Sequence, residues 1–417
     1  MLVGQKKYTH QEEGLLRRFG SPLFVVSESV LQEKYRTIRK SMDDYYPNST
    51  IAYSFKTNYI PGICAVFKKA GAGAEVVSGF EYGLAKKLGY DGENIIFNGP
   101  YKKEEDLERA IKDNCTLNID NIEELKRAAA IAERLGTSTA IGIRVFSETL
   151  ILTYGTWGRF GFCVEDGEAF DVFTLIRNEF KGLNVVGLHV HLGTNIPHPE
   201  TYQAIIRTIG KFVSRLKEEY GFSPAYIDIG GGIAIPGNQP VGKDFWRIPP
   251  VREYCKAIGE LMHEQFSSHP PLLIVEPGRY LVGEAAVFLT SVISVKKLDK
   301  DKQKVVVDSS INMMPSATFI RHPITALGTG DKLLASSLFG ISCTQTDILG
   351  EALLPPLCEG DILTVHNVGA YSMSRSNQWI SPRPAVIMLH DNGEVTLLRR
   401  REREEDMVSL DPILGEP

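Results

Sequence analysis

Four short stretches carry residues that can do chemistry. The first is Tyr53 to Asn58 (YSFKTN), where an apolar, alternating segment ends on Lys56. With a period of two, Ile51, Tyr53 and Phe55 share one face and Ala52, Ser54 and Lys56 the other. The bulky face suits burial against helices, so the small face delivers a long amine inward. The second, Gly187 to Thr194 (GLHVHLGT), puts His189 and His191 on one strand face, a spacing open to a metal pair. The third, Ile227 to Gly232 (IDIGGG), ends in three glycines, which make a tight turn or free backbone N–H groups to approach a phosphate. The fourth, Glu276 to Arg279 (EPGR), sets a carboxylate beside an arginine, as an internal ion pair or as two ligand contacts. Jointly the four meet the needs of pyridoxal phosphate: an amine for a Schiff base, a carboxylate for the pyridine nitrogen, and glycines with an arginine for the phosphate. The amine must be deprotonated when it attacks, which a partly desolvated position favours.

These groups need a scaffold that gathers strand ends. Candidate strands fall at 51–56, 73–77, 94–98, 116–119, 140–146, 185–191, 225–229 and 272–276, with helical stretches such as 104–113 and 121–136 between them. Eight strand–helix units predict an α/β fold, a (β/α)8 TIM barrel over residues 28–284, with chemistry at the C-terminal strand ends. Beyond 285 the strand-like segments are joined by turn-rich loops, which predicts a mainly-β domain over 285–417. The strand-like segment 22–26 is expected to pair with it, so residues 1–27 are assigned there too.

Bulk properties exclude several classes. The 417 residues are 43% hydrophobic and 23% charged, with a net charge of −5 and no basic stripe, so nucleic acid is not an expected partner. No apolar run reaches the roughly 18 residues of a spanning helix, and MLVGQKKYTHQEE holds no signal-peptide core. Six scattered cysteines without a CxxC pair read as reduced thiols of a cytoplasmic protein.

Six ordered motifs make the chain resemble the fold-type III pyridoxal-phosphate decarboxylases, the diaminopimelate and ornithine decarboxylase group with an alanine racemase-like fold. YSFKTN is similar to the family's Tyr-x-x-Lys-x-Asn, HLGT (191–194) to its His-x-Gly-Ser/Thr, the triple glycine and EPGR to theirs, CTQTD (343–347) to Cys-acid-x-x-Asp, and GAY (369–371) to Gly-Ala-Tyr. PRPA (382–385) and the segment from Glu394 to Glu402 resemble the end of diaminopimelate decarboxylases. The resemblance implies that Lys56 carries the cofactor and His191 stacks on its ring. It implies that Thr194, Gly230, Gly231, Gly232, Gly278, Arg279 and Tyr371 surround the phosphate, and that Glu276 bonds the ring nitrogen, which favours decarboxylation over racemisation. Glu75 and Arg144 match positions near the ring. Cys343, with Lys56 a candidate proton donor to the carbanion, comes from the neighbouring subunit of a homodimer, and no metal is involved. His189 becomes a packing residue.

The chain departs from the family where the distal end of the substrate is met. Thr344 stands where an acid follows the motif cysteine, the segment 308–319 lacks an arginine and carries Met313, Met314 and Pro315, and Trp379 replaces a tyrosine. A hydroxyl cannot pair with an ammonium. The expectation is therefore an α-decarboxylase of an amino acid with a modified or non-cationic distal end, from a siderophore or antibiotic pathway. Thr344, Asp347, Arg321 and Arg375, with His322, are its candidate contacts. The alternatives are a diaminopimelate decarboxylase of lysine biosynthesis, an inactive regulatory paralogue, and a metal-dependent hydrolase using His189 and His191.

Overall fold

The computed structural model describes residues 9–155, 158–242, 247–326 and 332–412. Most of the N-terminal stretch examined for a signal peptide (residues 1–8) lies outside the described residues. The chain forms two compact units, one of Gln32–Ile235 with Arg247–Leu281, the other of the residues to Leu31, Pro236–Trp246 and Val282 onward.

The first unit is a closed barrel. Its eight strands are Ser49–Ser54, Gly73–Val76, Ile95–Phe97, Thr116–Ile119, Thr139–Phe146, Leu183–His189, Tyr226–Asp228 and Leu272–Val275. Each pairs in parallel with the next, and the eighth returns to the first with Leu273 opposite Ser49. All eight fall within a few residues of the predicted spans. Helices between them start and stop on local signals: Ile122–Leu135 opens where the Asn121 side chain accepts from Glu124 N, and ends at Gly136 in the left-handed region, φ +63°.

Two strand ends differ from the sequence reading. The ladder of the first strand ends with Ser54 opposite Glu75, and the chain turns into a 3-10 segment, Phe55–Thr57, which carries Lys56. The sixth strand stops at His189, so His191 lies beyond it rather than on the same strand face.

The barrel interior is filled by side chains. Ala52, Ile96, Tyr226 and Ile274 form one buried cluster. The Tyr226 ring takes so much room that a Cβ on Gly187 would lie 2.2 Å from it, and one on Gly142 2.1 Å from its hydroxyl. Glycine on the fifth and sixth strands is the condition for a tyrosine on the seventh.

The second unit is mainly β. Its long strand Ala286–Asp299 pairs antiparallel with Leu23–Ser27, Lys302–Val307 and Ile362–Val365, and Leu23–Ser27 pairs in parallel with Ala385–Leu389. Leu15, Leu23, Val25, Leu289, Ala385 and Ile387 form a core cluster there. Among the described residues no helix is long and apolar enough to cross a membrane.

Candidate active site

The C-terminal ends of the barrel strands converge on a buried polar layer. Lys56 Nζ donates to Glu75 Oε2 at 2.5 Å, and Ser54 Oγ donates to the same oxygen. Glu75 is fully buried on the second strand, while the Lys56 side chain keeps 32% of its surface exposed. An ammonium at the rim is thus held by a carboxylate at the floor. Asn98, just past the third strand, donates from Nδ2 to Glu276 Oε1 at 2.6 Å and to Glu75 Oε1 at 3.2 Å. Its own carbonyl accepts from Asn118 Nδ2 at 2.9 Å, and Asn118 Oδ1 accepts from the Tyr226 hydroxyl at 2.7 Å. Tyr226, Asn118 and Asn98 form a chain of donors that ends on carboxylates. Arg144, on the fifth strand, bonds Asp120 Oδ1 at 3.4 Å and lies 4.6 Å from the Phe160 ring centroid.

The glycine turn after the seventh strand is built from backbone conformation and close approach. Gly230 and Gly232 have φ of +65° and +100°. A Cβ on Gly231 would sit 2.2 Å from the Glu276 carbonyl oxygen, and one on Gly230 2.4 Å from His191 Nδ1. Only glycine satisfies all three positions. The turn is pinned at two amides, Gly230 N to Asp228 Oδ1 (2.9 Å) and Gly231 N to His191 Nδ1 (3.1 Å). The second bond fixes the His191 ring as the Nε2–H tautomer whenever it is neutral, and burial keeps it neutral, well below the usual histidine range, with Lys56 and Arg144 adding to the effect. Beside the turn, Arg279 Nη2 donates to Thr194 Oγ1 at 3.3 Å. Gly278 lets this segment pass the turn that carries Lys56, since a Cβ there would meet Thr57 Oγ1 at 2.0 Å.

The layer holds more acid than it can ionise. Burial, then Asp228 and Glu75, push Glu276 well above the carboxylate range against the pull of Lys56. Burial pushes Asp228 up to about 7, against its hydrogen bonds to Glu276 and Gly230 N. His189, fully buried, has Nε2 3.9 Å from Glu276 Oε2 and is held neutral by burial and by the cations around it. Among the described residues His189, Asp228 and Glu276 are the group that offers three metal-ligand atoms within 4.8 Å of one another. His191, the partner expected for His189 in a metal pair, is not in this group, and its Nδ1 accepts from Gly231 N.

The remaining candidates lie in the β unit. Cys343 and Thr344 are exposed on one loop, where the Thr344 hydroxyl bonds Ser342 Oγ at 3.1 Å. Asp347, expected at the substrate, is buried instead. Its Oδ1 accepts from Ile311 N (2.8 Å) and Ser310 Oγ (3.2 Å), and its Oδ2 from Ser342 N (2.9 Å). Its carboxylate is spent on the shape of the cysteine loop. Tyr371 is partly buried with φ +61°, a strained conformation for a bulky side chain. Arg321 is exposed next to the buried His322, whose Nε2 bonds Ser316 Oγ at 2.8 Å. The exposed Arg375 guanidinium lies 5.1 Å from the Phe319 ring centroid.

Sequence reasoning brought together Lys56, Glu75, Arg144, His191, Thr194, the glycines, Glu276 and Arg279. It passed over Ser54, Asn98, Asn118 and Asp228. A single polar residue closing an apolar strand, as in IIFN and IDIGGG, is the signal that would have found Asn98 and Asp228.

This donor set suits pyridoxal phosphate. The glycine turn leaves no room for side chains, and beside it Arg279 and Thr194 offer donors to an anion. Glu276 offers a carboxyl to a protonated ring nitrogen, and Lys56 offers an amine at the barrel rim.

Comparison with known proteins agrees. Residues 29–283 match the family model described as pyridoxal-dependent decarboxylase, pyridoxal binding domain. The chain is 30% identical over 413 residues to the diaminopimelate decarboxylase of Methanocaldococcus jannaschii, covering 95% of this chain and 92% of the relative. It is 28% identical over 409 residues to that of Methanothermobacter thermautotrophicus, covering 94% and 92%. The crystal structure of the M. jannaschii diaminopimelate decarboxylase in complex with L-lysine superposes with a TM-score of 0.88 at 29% identity, covering 96% of this chain and 94% of that one. These relatives overturn the expected substrate with a modified distal end. The distal end of diaminopimelate carries an ammonium and a carboxylate, so it is net neutral.

Proposed function

The chain belongs to the pyridoxal-dependent decarboxylases, an amino-acid-decarboxylating family that uses pyridoxal phosphate, and from that premise we propose that it removes one α-carboxylate from meso-diaminopimelate to give L-lysine and carbon dioxide. The bound cofactor supplies an electron sink for the pair left by the departing carboxylate. The chain's own residues supply the rest. Lys56 holds the cofactor covalently and carries a proton on Nζ between turnovers. Glu276 would hold the ring nitrogen and favour its protonated form, and His191, anchored by Gly231 N, would pack against the ring. Gly230 to Gly232, Thr194, Arg279, Gly278 and Tyr371 bind the phosphate. Cys343, exposed on its loop, donates a proton to the reacting carbon from the second subunit of a homodimer. The cysteines, all free thiols, suit a reducing, cytoplasmic location.

The observation that carries the chemistry is the buried carboxyl of Glu276 at the end of the eighth strand, with Lys56 and Glu75 in the same layer. The substrate is supported by relatives that carry the diaminopimelate decarboxylase name and match more than nine-tenths of the chain. Carbon dioxide and lysine released in equal amounts from meso-diaminopimelate, with far less from L-lysine or L-ornithine, is the expected result. Borohydride should trap the cofactor on Lys56. Fully loaded enzyme that leaves diaminopimelate intact refutes the substrate, and a reduced adduct elsewhere refutes the site.

A further inference from the structure

Asp228 was not part of the expected site, yet it touches both ends of it. It lies fully buried at the end of the seventh strand. Its Oδ1 accepts from Gly230 N at 2.9 Å, and one of its carboxyl oxygens lies within 4.8 Å of one of Glu276's. Two carboxyls buried this close cannot both ionise without a large desolvation and like-charge penalty. The pair therefore holds one proton between its two groups.

The surroundings decide where that proton rests. Glu276 Oε1 receives the 2.6 Å bond from Asn98, the last donor of the chain from Tyr226 through Asn118. Asp228 accepts from Gly230 N at 2.9 Å on Oδ1 and from Asn118 Nδ2 at 3.4 Å on Oδ2. The other titratable and charged groups around the pair are Glu75 on the second strand, Arg144 on the fifth, His189 on the sixth, His191 beyond it, Tyr226 on the seventh and Lys56 after the first. His189 is neutral, Arg144 is engaged by Asp120 and Lys56 by Glu75. A cation placed against Glu276 makes its anionic form the better one, and the shared proton then belongs on the carboxyl behind it.

We propose that Asp228 is a positioning residue for the cofactor ring: when the cofactor binds it takes the proton of the Asp228–Glu276 pair, so that Glu276 faces the ring nitrogen as a carboxylate already hydrogen-bonded from behind. The step moves one proton from a Glu276 oxygen to an Asp228 oxygen and needs no other reactant. The same side chain holds the first amide of the glycine turn, so phosphate cradle and ring partner are set by one group. This inference rests on the proposed function only in placing the ring against Glu276.

Infrared difference spectra of the full chain labelled with isotopic aspartate test it. The loaded enzyme should show the carbonyl stretch of a protonated aspartic acid at neutral pH, and D228N should lack it. D228N keeps a donor toward Glu276 and an acceptor for Gly230 N, so its dissociation constant for pyridoxal phosphate, read by absorbance, should stay within about threefold of wild type. D228A loses both bonds and should bind about tenfold or more weakly. A wild-type enzyme loaded at Lys56 that shows no protonated aspartic acid overturns the proposal, as does a D228N protein as weak as D228A. If a variant fails to fold, the wild-type spectrum decides alone. If the protein takes up no pyridoxal phosphate, the proposed function fails, and a stripped protein without any protonated carboxyl in this layer would overturn the shared proton separately.

Discussion

Replacing Glu276 with glutamine should stabilise the stripped protein while disabling the loaded one. In the unfolded chain this carboxyl ionises near its ordinary value of 4.5, whereas in the fold burial, Asp228 and Glu75 keep it protonated well above that. Its contribution is fully favourable below pH 4.5 and is lost as pH rises toward the folded value, because only the unfolded state gains by ionising. Each pH unit in that window is worth about 1.4 kcal/mol, so the cost of the acid to the stripped fold grows as pH rises from 4.5 toward neutrality. Glutamine does not titrate, its carbonyl can accept from Asn98 and its amide can donate to Asp228. Thermal melts of stripped wild type and variant should coincide near pH 4.5 and separate toward pH 7, with the variant higher by on the order of 5–10 °C for a unit of this size. With pyridoxal phosphate added, the variant should lose at least about 100-fold in carbon dioxide release, the scale of removing one preorganised charge partner. A melting difference that does not change with pH, or a variant less stable at pH 7, refutes the reasoning.

Two further perturbations probe the scaffold. Lys102 is fully buried and donates to Gly99 O (3.1 Å), Asn118 O (3.0 Å) and Glu124 Oε1 (2.5 Å); Lys102→Met should cost about 3–5 kcal/mol by stranding Glu124, and Glu124→Leu added to it should recover most of the loss in denaturant titrations. Asp347→Ala should release the cysteine loop by removing the acceptor for Ser342 N and Ile311 N, raising the alkylation rate of Cys343 and costing about 2–4 kcal/mol for the buried donors left behind.

The legible features of the sequence were those written in local patterns. Strand and helix periodicity gave the eight strands, and Lys56, Gly230 to Gly232 and Glu276 each stand out within a few residues of chain. The polar layer was not legible because its partners meet only when the barrel closes: Asn98 and Glu276 are 178 residues apart in the chain, and Asn118 and Asp228 are 110 apart. Asn118 in TLNI reads alone as an interruption of an apolar strand. The substrate reading failed for a related reason. Thr344, the segment 308–319 without an arginine and Trp379 were weighed as local departures, but a local pattern does not show which groups meet the distal end, and Asp347, the motif's other polar residue, serves the loop itself. The end of the first strand was misread because alternation continues through Phe55 and Lys56 after the ladder has stopped.

Each of the eight strands supplies a polar side chain within two residues of its C-terminal end: Ser54, Glu75, Asn98, Asn118, Arg144, His189, Asp228 and Glu276. All are buried. Three are carboxyls, and the amides and the Tyr226 hydroxyl are oriented as donors toward them. Burying this much acid is unfavourable, and a fold selected for stability alone would fill the layer with apolar side chains. Lys56 and Arg144 are already engaged by Glu75 and Asp120, so Glu276 still has an anionic form that a further cation would favour. A protonated heterocycle meets that condition. Replacing Glu276, the carboxyl that would face this cation, with glutamine should therefore stabilise the stripped fold and weaken cofactor binding together, whereas a layer serving stability alone would lose both on that substitution.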